Sequence, residues 1–135
     1  MMNIKQYIEM VTYSRKRTGL ILATRIDTLD ELTDAGLQLV DFTQIHTETV
    51  VLSDDELYRL ITTISLNSRT ALLNLELFLS VRYRDVGYLN YLVPKLCNME
   101  PLKPIFFVFY SNVLYEKFKT YYVLNKLTSK NFYED

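Results

Sequence analysis

Two apolar runs, Ala71-Leu72-Leu73-Asn74-Leu75-Glu76-Leu77-Phe78-Leu79 and Ile105-Phe106-Phe107-Val108-Phe109-Tyr110, decide how the rest of this chain folds. The second reaches Ser111 without a charged or amide side chain. That is the signature of a strand covered on both faces, and parallel strands are the kind usually buried that way. We read both runs as strands in the middle of a parallel sheet with one helical segment between them. Periodicity leaves a second reading of residues 71–82 open, a single buried helix, because Ala, Leu, Asn and Glu all tolerate helix.

Upstream, Ser53-Asp54-Asp55-Glu56 matches a capping box, and Leu57, Leu60, Ile61 and Ile64 follow on one helical face. Before it, residues 37–45 alternate and are β-prone, predicting a second strand. Residues 49–52 extend that strand, belong to a loop, or add an antiparallel strand that would make the sheet mixed. Thr28-Leu29-Asp30-Glu31 is another capping box and Gly36 a stop, giving a helix of barely two turns. Residues 20–23 predict the first strand, with Gly19 as the break before it. Ile4, Tyr7, Ile8 and Val11 recur at helical spacing, with the cations Arg15-Lys16-Arg17 at the negative end of that helix's dipole.

Downstream, Val86, Leu89, Leu92, Val93 and Leu96 trace a helical stripe that Pro94 is expected to end or kink. Pro101 and Pro104 punctuate the entry to the fourth strand. Ser111-Asn112 then caps a last helix, with Leu114, Phe118, Tyr121 and Tyr122 inward and Lys117, Lys119 and Lys126 toward water. Residues 128–135 are expected to form a loose tail. No internal repeat and no Gly/Ser linker interrupts the chain. Helix, then strand and helix four times over, predicts an α/β fold. It is one three-layer domain over 1–135, with a mostly parallel sheet of four or five strands and helices on both faces.

Composition bounds the function. With 135 residues, 49% of them apolar, the chain can bury one core but hardly two. A net charge of −1 argues against a module that binds duplex nucleic acid through a basic face. Cys97 is the single cysteine and cannot form an internal disulfide, which fits a reducing compartment. The start lacks a secretory apolar segment, and no apolar run approaches the roughly 20 residues that span a bilayer. A cytoplasmic location without membrane contact is the expectation.

The order of elements resembles the core of a P-loop NTPase of the additional-strand class, the group that includes the AAA-type ATPases. In that pattern the first strand leads into the phosphate-binding loop, the third ends in Walker B acids and the fourth in a small polar sensor residue. Residues 20–23 would be the first, 72–76 the third, and 106–112 the fourth, with Ser111 and Asn112 at its end. Residues 71–111 also resemble the small ATPase subunits of BREX-type phage-defence systems.

The departures from that pattern direct the functional reading. A Walker A loop needs glycines whose backbone amides close around phosphate, and a Lys for the terminal phosphates. Here the loop is Thr24-Arg25-Ile26-Asp27-Thr28-Leu29, with neither, and Asp27 and Asp30 stand where phosphate charge would sit. Asn74 replaces the Walker B Asp, and Glu76 is one residue beyond the place of a catalytic Glu. Spaced so, Asn74 and Glu76 would share the face of a strand. Nucleotide hydrolysis is not expected.

Other chemistry finds no better footing. His46 is alone, so a His/Cys zinc cluster is out of reach. Cys97 lies in an apolar stripe and reads as core. Ser111 sits at a strand-to-helix turn, but Tyr110 and Val113 replace the small residues a nucleophile elbow requires. The acids Asp54-Asp55-Glu56 are explained by a helix start. No catalytic, metal or cofactor-binding residue is assigned.

The expected role is that of a non-catalytic interaction or scaffold subunit in a larger assembly of phage-defence or mobile-element type. Its partners would be other protein subunits or further copies of this chain. The candidate interaction residues are Arg15, Lys16, Arg17, Arg25, Tyr115, Tyr121 and Tyr122, with Phe132 and Tyr133 adding to the aromatic surplus near the end. The alternative is a nucleic-acid-binding or nucleotide-sensing subunit using Arg15 to Arg17, Arg25, Arg82 and Arg84.

Overall fold

A computed structural model describes residues 2–14, 17–44, 54–75, 86–124 and 132–134, with the backbone alone at 54, 86–91 and 122–124. In chain order its elements are α1 (Ile4–Thr12), β1 (Thr18–Leu22), α2 (Thr28–Asp34), β2 (Gln38–Asp41), α3 (Asp54–Ile64) and β3 (Thr70–Leu73). They continue with α4 (Val86–Cys97), β4 (Ile105–Phe109), α5 (Asn112–Leu124) and β5 (Phe132–Glu134). All the strands are parallel and lie in the order β2-β3-β4-β1-β5. β4 is buried along its whole length, as its uninterrupted apolar run requires.

From β1 the chain crosses to the far edge through α2, and the three later connections step back the other way. Right-handed crossovers make that reversal a change of face. Accordingly α1 and α2 cover one side, where Ile8, Val11 and Leu32 pack on Ile21, Phe106 and Val108. The other side carries α3, α4 and α5, whose Leu57, Leu96 and Phe118 pack on Leu20, Leu72, Phe107 and Phe109. The architecture is a single α/β sandwich of three layers.

Local chemistry sets the element ends. Asn3 and Gln6 form a reciprocal cap on α1, each side chain taking the other's backbone N–H at 2.9–3.0 Å. α2 ends in a Schellman turn: Gly36 has φ +86°, its N–H donates to the Thr33 carbonyl, and the Leu37 N–H reaches back to Leu32. The capping box expected at Thr28 does not form. Asp27 is the N-cap without a side-chain cap bond, and the Glu31 carboxylate pairs with Arg25 instead.

Further expectations change. Gly19 is not a break but lies inside β1, where Tyr7 and Phe106 crowd its α-carbon. Pro94 does not end α4, which runs on to Cys97. The third strand stops at Leu73, because Asn74 adopts φ +61° and Leu75 is already helical; Asn74 therefore lies beyond the strand, and Glu76 lies outside the described residues. The tail is not loose throughout, since Phe132–Glu134 forms β5 beside β1. Tyr133 there stacks on Tyr7 at 5.3 Å, and Glu134 pairs with Lys119 at 3.0 Å. β2 is also shorter than its alternating stretch, and residues 49–52 lie outside the described residues.

Candidate functional site

Open parallel sheets bind ligands outside the carboxyl ends of their strands, at the point where connections leave in opposite directions. In this sheet that point lies between β1, whose connection runs toward β2, and β4, whose connection runs toward β5. The Ala23 N–H donates to the Phe109 carbonyl at 2.8 Å, closing the pair of strands before their turns diverge.

From β1 the turn holds Thr24, Arg25, Ile26 and Asp27. The Arg25 guanidinium is 2.6 Å from Glu31 and 3.9 Å from Asp27, so its charge is matched by carboxylates of its own turn and helix. Ile26 is fully exposed. From β4, Tyr110 and Val113 are exposed on either side of Ser111 and Asn112. Apolar side chains thus stand exposed beyond the carboxyl ends of both strands.

The neighbouring strand ends are tied together. The Asn74 side-chain amide donates to the Asp41 carboxylate at 2.8 Å, and the Thr43 N–H and hydroxyl donate to the same oxygen. Burial raises the Asp41 carboxyl, the bonds from Asn74 and Thr43 more than offset it, and the group lies below its ordinary 3.8. Asn74 therefore spends its amide on a carboxylate of the adjacent strand.

The other candidates are dispersed. Arg15 and Lys16 lie outside the described residues, as do His46, Ser53, Glu76, Arg82, Arg84 and Lys126. Arg17 precedes β1 and Arg25 follows it, so the two sit at opposite ends of the sheet and share no basic face. Tyr115 is buried, its ring set edge-on to Phe109 at 6.0 Å, and belongs to the core rather than to a contact surface. Burial, and then the adjacent Glu134 carboxylate, push its phenol up. Tyr121 is half-buried and its hydroxyl accepts from Asn98; the side chain of Tyr122 lies outside the described residues. Cys97 is buried and burial alone raises its thiol, which suits core packing.

Sequence reasoning missed Ile26, Tyr110, Val113 and Asp41. An isoleucine inside an otherwise polar turn was the available signal for the first. The pairing of Asp41 with Asn74 depends on strand order and leaves no local trace.

No family model, curated protein or solved structure matches the chain. Among the described residues no helix is long and apolar enough to cross a membrane.

Proposed function

We propose that this chain is a non-catalytic interaction subunit, a degenerate domain of nucleotide-binding type that works through protein contacts. One observation carries the reading. At the switch point between β1 and β4, Ile26, Tyr110 and Val113 are exposed, while Arg25 is engaged by carboxylates. A triphosphate site would need amides and free cations there; a protein partner suits apolar side chains rimmed by charge. β4 lies between β1 and β3 as an additional strand separating the ends that would carry phosphate loop and Walker B acids, which supports the likeness to additional-strand NTPases. Membership of a phage-defence or other mobile-element assembly rests on the resemblance of residues 71–111, and a cytoplasmic location on the single cysteine.

The test is native purification of the tagged chain from the cell that makes it, beside the double variant Ile26→Asp/Val113→Asp. The wild type should elute in a complex and the variant as a free chain with an unchanged circular dichroism spectrum. A wild type that elutes as a strict monomer without partners would refute the reading.

A further inference from the structure

The opposite end of the sheet carries a second feature. Because the strands are parallel, every strand enters from the same end, and the order β3-β4-β1 sets three entry segments side by side. Each brings a cation: Arg69 before Thr70, Lys103 before Pro104 and Ile105, Arg17 before Thr18. Their backbones are fixed in register, the Ile105 N–H donating to the Arg17 carbonyl at 2.9 Å and the Thr70 N–H to the Pro104 carbonyl at 3.0 Å. These cations, with Glu9, Tyr13 and Leu102 among the other walls, line a cleft of about 540 Å³.

Cations at this end have an ordinary use, since helices antiparallel to the strands point their negative ends here. Arg69 serves it: one guanidinium nitrogen donates to Ala35 at the end of α2 at 2.6 Å, and the other meets Glu9 at 2.7 Å. Arg17 and Lys103 are not used up that way. Arg17 donates from Nη1 to the Leu102 carbonyl at 2.9 Å, a loop contact, and Lys103 has no partner among the described residues. Glu9 is already matched by Arg69, so the cleft presents two cations to solvent. Beside them stand two large apolar side chains, Tyr13 at 83% exposed and Leu102 at 71%.

We propose that this cleft binds a short acidic segment of a partner protein, its carboxylates on Arg17 and Lys103 and an apolar side chain between Tyr13 and Leu102. Charge complementarity sets the sign of the ligand. A nucleic acid fits less well, because its affinity grows with the number of phosphates neutralised and, among the described residues, the cleft turns two cations to solvent. The surface is independent of the one between β1 and β4, and either can fail without the other.

Fluorescence anisotropy tests it with a labelled peptide of about twelve residues, glutamates interrupted by one leucine and one tyrosine, beside its glutamine counterpart and a single-stranded oligonucleotide of similar length. The acidic peptide should bind, more weakly as salt rises, and the double variant Arg17→Glu/Lys103→Glu should weaken it about tenfold or more. The neutralised pair Arg17→Gln/Lys103→Gln should fall between, with thermal melts of both variants matching the wild type. Ile26→Asp/Val113→Asp should leave peptide binding unchanged. The proposal is overturned if the peptide does not bind at about 1 mM, if charge reversal has no effect, if the oligonucleotide binds more tightly, or if the Ile26 and Val113 changes abolish peptide binding.

Discussion

Gly19 faces two aromatic side chains, Tyr7 and Phe106, and what it lacks matters more than what it contributes. A β-carbon there would stand 2.3 Å from the Tyr7 hydroxyl, which donates to the Leu20 carbonyl, and 2.9 Å from the Phe106 ring. Gly19→Ala should therefore destabilise the fold by about 1–3 kcal/mol, read from the urea midpoint. The ordinary effect of replacing a strand glycine by alanine has the opposite sign, so a raised midpoint would show that Tyr7 does not cross β1 as described. Asn74 combines a left-handed backbone with a bond to Asp41. Asn74→Ala gives up both and Asn74→Gly only the bond, so alanine should be the less stable by about 1 kcal/mol. Either change should raise the Asp41 carboxyl toward its ordinary value, measurable by NMR titration. The native carboxyl is depressed, so its contribution is present above the unfolded value and disappears as pH falls through the folded one. The cost of Asn74→Gly should accordingly be larger at pH about 6 than at pH about 2. Neither residue announced its role: glycine before an apolar run reads as punctuation until the ring laid across it is known.

At the scale of elements, the strands were legible where burial is two-sided and ambiguous where it is brief. Residues 105–109 are apolar without interruption and could be read directly, as could the 3.6-residue stripe of α1 and the glycine stop of α2. The strand at 71 ends sooner than its composition suggests, because Leu75 continues the apolar run while Asn74 turns the backbone. The Thr28 box is not legible as broken from its four residues, because Arg25, three residues upstream, takes the Glu31 carboxylate with a charge-assisted bond. β5 escaped because a strand as short as Phe132–Glu134 carries no periodicity; it is specified by its neighbours, the Tyr7 ring and the Lys119 ammonium. Truncation after Asn131 should cost about 2–4 kcal/mol, given that Phe132 and Tyr133 are partly buried. It should also open the edge of β1 to self-association, visible as a concentration-dependent elution volume. A truncated chain as stable and as monodisperse as the full one would show that β5 does not contribute to the sheet.

At the scale of the whole molecule, hydrophobic pattern and element order reached the three-layer parallel sheet, because both are written in local periodicity. The candidate surface was only partly legible. The turn after β1 has no glycine and no lysine, which is legible in the sequence, yet the nearness of the turn carrying Ile26 to the one carrying Tyr110 and Val113 follows from β1 and β4 being neighbours, which no local pattern encodes. Arg17 and Arg25 fall at opposite ends of the sheet for the same reason, since β1 lies between them. The account then stands on one claim, that the carboxyl ends of β1, β3 and β4 are given over to protein contact and hold no nucleotide. Its most direct measurement is a titration of the ¹⁵N-labelled chain with Mg-ATP to about 5 mM, followed at the amides of Thr24 to Thr28, Asn74 and Ser111. The account predicts no saturable shift at any of them; saturable shifts confined to those amides, with a Kd below about 1 mM, would contradict it.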